Sequence, residues 1–161
     1  MKLYLLSSMP TGGTNTAYLA PISILWRVIL MPHKLNYPSI EAIKEFNRII
    51  VSEREETYSL EDPKQLEIIL QDTETLAEDL PLENAIIKKA TRLLRGITLA
   101  QPFYEGNKET ALATTRVFLL RNGFKLIASD EEIFDLLTGI ISGSQDLNAV
   151  ESFLSIHVKK A

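Results

Sequence analysis

Residues 107–121 predict a helix that is apolar or small most of the way round, opened by Gly106-Asn107 and closed by Asn122-Gly123. A helix without a wet face has no place on a surface, so other elements must surround it. That requirement alone points to a helical bundle with residues 107–121 in its middle.

The flanking sequence supplies the surrounding helices. Ser39 can cap a helix with Ile40, Ile43, Phe46, Ile49 and Ile50 on its apolar side. Pro63 starts a short helix or turn over 63–71 that carries Leu66, Ile69 and Leu70. Pro81 opens the next helix, where Ile86, Ala90, Leu93 and Ile97 line one face and Lys88, Arg92 and Arg95 another. Ser129-Asp130-Glu131-Glu132 reads as a capping box ahead of Ile133, Leu136, Leu137, Ile140 and Ile141. Gly143 stops that helix, and Leu147, Val150, Leu154 and Val158 carry the last one. No strand pattern is visible after residue 37. The expected fold is all-α, a helical bundle around a central helix-loop-helix, over residues 37–161.

Residues 1–36 read as an N-terminal extension. Ala17 to Leu30 is almost wholly apolar but broken by Pro21 and Arg27, too short for a membrane span. Ile22, Leu25, Trp26 and Ile29 share a helical face, although the β-branched content also permits a strand. Such a stripe is expected to be core or a contact between copies of the chain. The front end lacks the features of a signal peptide, so a cytoplasmic protein is expected.

Composition removes several chemistries. The 161 residues include no cysteine and only two histidines, which leaves no thiolate nucleophile and no Cys- or His-rich metal site. The net charge of −4 does not hold a nucleic-acid backbone. Its distribution is uneven. Residues 53–83 hold eleven acids against Arg54 and Lys64, whereas 84–128 hold eight basic residues against Glu105 and Glu109. A positive stretch in an acidic chain suits a small anionic ligand, or is simply a solvated helix face.

The loop before the central helix is where chemistry can reside. Gly106 permits a tight turn, and Asn107 tolerates the same dihedrals, so the helix begins abruptly. Its first amides and the positive end of its dipole suit a phosphate, with Lys108 adding a cation. Glu105 can hold a magnesium ion that bridges phosphates. A plain loop-to-helix junction would look the same.

The full string is more specific: Gln101, Pro102, Phe103, Tyr104, Glu105, Gly106, Asn107, Lys108, Glu109, Thr110. It resembles the Fic/Doc signature His-Pro-Phe-x-Asp/Glu-Gly-Asn-Lys-Arg-Thr, and the Lys after Asn and the following Thr110-Ala111 are similar to the Doc (death-on-curing) branch. Tyr37-Pro38, Leu60 with Asp62, residues 66–70 and the Asn122-Gly123-Phe124 stop extend the resemblance over about 37–158. It implies ATP-type nucleotides with magnesium at the Gly106-Asn107 turn. It also implies transfer of phosphate or AMP to a protein hydroxyl, a protein target such as a translation factor, and a restraining antitoxin. Residues 66–74 would be the flap that docks the target, acidic here through Glu67, Asp72 and Glu74.

Two positions depart from that signature. Gln101 stands where the resemblance places the catalytic His, the general base, and a carboxamide has no comparable basicity. Glu109 stands where it places a phosphate-binding Arg, putting an anion beside the phosphates. His33 or His157 would have to fold over the site to replace the base. Thr110 and Thr114 are expected to fill a helix contact. Three readings follow: a toxin-antitoxin protein of weak transferase activity, a catalytically dead binding or regulatory relative (a pseudoenzyme), and a plain helical interaction module.

Overall fold

The computed structural model of the protein describes residues 34–161. Six helices follow in order: α1 Ile40–Glu53, α2 Pro63–Thr75, α3 Leu82–Ala100, α4 Asn107–Arg121, α5 Asp130–Ser142 and α6 Leu147–His157. The fold is all-α apart from two three-residue strands, β1 Phe124–Leu126 and β2 Val158–Lys160. The readings of residues 17–30 and of His33 lie outside the described residues. Leu35 already packs against the core, and the Asn36 amide donates to Asn122 Oδ1 at 2.9 Å.

The helices begin where their capping residues dictate. Ser39, Asp62 and Asp146 each accept a hydrogen bond from an amide three residues on, and Ser129 with Glu132 forms the reciprocal capping box. These bonds satisfy amides that the helix itself leaves unpaired. α3 and α4 make the most extensive contact of any two elements, with α1 and β1 also against α4 and α2, α5 and α6 against α3. Ile86, Ala90, Leu93 and Ile97 of α3 are fully buried, as are Ala111, Phe118 and Leu119 of α4. Thr110 and Thr114 are buried too, so they fill the helix contact as their positions predict.

One basic residue of α3 is not solvated. Lys89 is buried, and its ammonium donates to the Thr73 and Glu74 carbonyls, both at 2.8 Å, closing the C-terminus of α2. Burial pushes the Lys89 ammonium below its ordinary range, while Glu78 and Glu74 push the other way. Lys88 and Arg92 instead reach Glu151 and Asp72.

Four expectations are corrected. β1 pairs antiparallel with β2, Phe124 opposite Lys160 and Leu126 opposite Val158. β1 alternates only once, with Phe124 buried, Lys125 exposed and Leu126 half-buried, and Val158, expected on the last helix, instead opens β2 as its one buried residue, so each strand is too short to read as one. α2 runs to Thr75 rather than stopping near 71. On α1 the buried stripe is Ile43, Asn47 and Val51, one residue per turn, which turns Ile49 out to 50% exposure. Ile141 and Leu147 are likewise exposed, because the cores of α5 and α6 close on Ile133, Leu136, Leu137 and Ile140 and on Val150 and Leu154.

Among the described residues Phe118 is the largest fully buried side chain, stacked on Tyr37 with ring centroids 5.5 Å apart. Phe118→Ala should cost about 3–5 kcal/mol in denaturant unfolding. Ile49→Ala should stay within about 0.5 kcal/mol. Equal effects would show that residues 107–121 are not the centre of the core.

Candidate functional site

The loop between α3 and α4 is held on both sides. α3 ends with Gln101 in the left-handed region (φ 46, ψ 56), its amide donating to Ile97 O at 3.1 Å. On one side, residues 59–62 lie along it: Leu60 bridges Phe103, Tyr104 N donates to Ser59 O at 3.0 Å, and the amides of Glu61 and Asp62 donate to Pro102 O. Within the loop, the Asn107 carboxamide accepts from Phe103 N at 2.9 Å and donates to Phe103 O at 2.7 Å. That pair of bonds closes residues 103–107 into a ring.

α1 holds the other side. Asn47 is fully buried, and its Nδ2 donates to Glu105 O at 2.8 Å and to Thr110 Oγ1 at 3.0 Å. The two bonds bracket Gly106. A Cβ on Gly106 would lie 3.0 Å from Asn47 Nδ2 and 3.2 Å from a Val51 methyl, and its φ is +72. Glycine is therefore required there by both backbone conformation and space.

The loop delivers an uncapped helix start. No side chain caps α4, and its hydrogen bonding begins with Thr110 N donating to Gly106 O at 2.9 Å. The amides of Asn107, Lys108 and Glu109 thus lack intrahelical acceptors, and the positive end of the dipole lies beside them. This is a cradle suited to phosphate. The Lys108 ammonium lies 5.9 Å from the centre of the Phe134 ring.

Glu109 is not left alone there. Arg54, the residue that ends α1, donates from Nη2 to Glu109 Oε1 at 2.8 Å. Burial pushes the Glu109 carboxyl up, but the Arg54 bond, its own amide and the charges of Arg54 and Lys108 outweigh this and hold it below the usual carboxylate range. The same bond and the Glu109 charge raise Arg54. The sequence predicts an unopposed anion beside the phosphates; the structure gives that anion a cation from another helix.

Of the other expected site residues, Gln101 is exposed at the C-cap of α3, and Gly106, Asn107, Lys108 and Glu109 gather at one turn. Glu105 is exposed and is the loop's one carboxylate ahead of the turn. Among the described residues, no cluster of three or more His, Cys, Asp or Glu could hold a metal. A lone carboxylate fits a magnesium ion that arrives on phosphates, which needs only one or two protein ligands. It does not fit a free-standing metal centre. His157 is committed elsewhere: its ring stacks on Phe153, Nδ1 lies 2.8 Å from Phe153 O, and Nε2 lies 3.4 Å from Glu132.

Asn47 and Arg54 escape the sequence reading. Asn47 had a signal, a polar side chain within an apolar stripe four residues after Ile43 and four before Val51. Arg54 had none, since 55 positions separate it from Glu109.

A model of the Fic/DOC family matches residues 37–119, just over half of the chain. None of the curated proteins compared with the chain matches it.

Gly106→Ala should cost about 1–3 kcal/mol, read by thermal or denaturant unfolding, from the left-handed backbone and the approach of Asn47. The pH dependence has a defined sign. A carboxyl held low in the folded state adds stability above its ordinary range and loses it as pH falls through its folded value. Between about pH 6 and pH 3, Glu109→Gln should therefore flatten the acid loss of stability relative to wild type. An unchanged slope would count against the Arg54–Glu109 pair in solution.

Proposed function

The chain belongs to the Fic/DOC family, and from that premise we propose a Doc-like toxin-antitoxin protein that keeps the family's phosphate cradle but has weak or no transferase activity. One observation carries this reading: the uncapped turn at Gly106-Asn107 is built in full while a glutamine, not a base, stands at its entrance.

The resemblance assigns the site a reaction in which a protein hydroxyl attacks a phosphorus of ATP. A phosphate or AMP passes to the hydroxyl oxygen, ADP or pyrophosphate leaves, and a base takes the hydroxyl proton. In this chain Asn107, Lys108 and Glu109 would offer amides to the phosphates, Lys108 its ammonium, and Glu105 a carboxylate to the magnesium they carry. The carboxamide of Gln101 can accept a hydrogen bond from the hydroxyl, which orients it. It cannot remove the proton, and loss of a positioned base costs about 10²–10⁴ in rate.

The remaining assignments rest on the same resemblance. A protein target such as a translation factor would lie along residues 66–74, which form the body of α2 rather than a separate flap and where Glu67, Asp72 and Glu74 are exposed and favour a basic segment. Restraint would come from a partner antitoxin. A catalytically dead binding or regulatory protein is the second reading, favoured by the ion pair at Glu109, which ties up the position of the family's phosphate-binding Arg. No helix among the described residues is long and apolar enough to cross a membrane.

The test is transfer of radiolabel from ATP, carried in separate reactions at the α- or γ-phosphate, to protein in a cell extract. Wild type should label at least about 100-fold less than Gln101→His combined with Glu109→Arg. Wild-type labelling equal to that of the double variant would overturn the loss of activity. Absence of labelling by both would favour the interaction module.

A further inference from the structure

We propose that Arg54 is the cation that binds polyphosphate at the start of α4, and that Glu109 is its resting counter-ion, exchanged for the ligand on binding. This rests on the phosphate cradle described above and adds to it a residue outside the loop.

The geometry supplies three arguments. Glu109 is the third residue of α4, so its carboxylate lies beside the orphaned amides, and the Arg54 guanidinium 2.8 Å from that carboxylate reaches the same place. Within the loop Lys108 is the one cation, and Glu109 cancels it. Arg54 therefore decides whether the turn attracts an anion at all. Glu53 and Glu56 also face Arg54 but only at longer range, whereas Glu109 holds it by a hydrogen bond.

The pair is also built to open. Its side chains are 45% and 36% exposed, and ion pairs at such exposure contribute little to folding. Among the described residues the Glu109 bond is the one hydrogen bond of the Arg54 side chain, so most of its five N–H donors remain for a ligand. A polyphosphate offers several charges and the planar two-oxygen match that a guanidinium prefers. A monoanion offers one charge, no more than Glu109 already provides. The exchange therefore selects polyphosphates over simple anions, and the cation lost from the motif at 109 is regained in space from α1.

Calorimetric titration of the full chain with inorganic triphosphate tests this. Arg54→Ala should weaken binding at least about tenfold, with partial recovery in Arg54→Lys, and Glu109→Gln should tighten it by about tenfold. At neutral pH melting temperatures should shift by no more than about 4 °C, and acetate should not compete. If wild type binds and Lys108→Ala weakens it while Arg54→Ala does not, Arg54 has no such role and the cradle stands. If Arg54→Ala tightens binding, the guanidinium blocks the site and the proposal is overturned. If neither wild type nor Glu109→Gln binds triphosphate, the cradle itself is refuted and this inference with it.

Discussion

A single buried carboxamide sets the geometry on which the candidate site depends. Asn47 donates to the carbonyl before Gly106 and to the hydroxyl of Thr110 one turn into α4. Two donors on one nitrogen fix the angle at which the chain leaves the loop and enters the helix. The arrangement works only because α1 comes close enough to exclude a Cβ at Gly106. Burying an amide in an apolar stripe is costly unless it is paired; the loop supplies both acceptors of Asn47 Nδ2, while Oδ1 is buried with no partner among the described residues. Core and site thus share one interaction.

That sharing explains how the turn stands whichever side chains occupy positions 101 and 109. The bonds that shape the loop come from the side chains of Asn47 and Asn107, the Pro102 carbonyl and the backbone of residues 59–62, none of which titrates. Gln101 and Glu109 occupy positions that face outward from this frame and can change without disturbing it. Gln101 keeps a left-handed backbone, a conformation that costs a non-glycine residue about 1–2 kcal/mol and that the α3 C-terminus imposes whichever side chain is present. Fold and chemistry are separable here because different atoms hold them.

Electrostatics divides along the same line. Lys89 is drawn into the interior to close α2 by donating to two carbonyls, so one member of the basic stretch serves the fold. Lys88 and Arg92 pair at the surface with Glu151 and Asp72. Lys108 and Arg54 converge on the start of α4, whose first turn, like that of α3, has no side-chain cap. The positive character of residues 84–128 is therefore divided between structure and site, which a count of charges does not resolve.

The sequence by itself determined the helices, their order and the position of the loop. Those features follow from local rules: apolar spacing on α3, α5 and α6, capping residues at 39 and 129, and glycines at 106, 123 and 143. It also displayed the departures at Gln101 and Glu109. Tertiary structure alone decided which face of α1 is buried, because that choice depends on where the loop needs a donor. It alone paired β1 with β2, whose three residues are too few to carry a pattern. It alone brought Arg54 to Glu109, since the charge of a carboxylate is fixed by its residue type, but the field it sits in is fixed by whatever the fold places beside it.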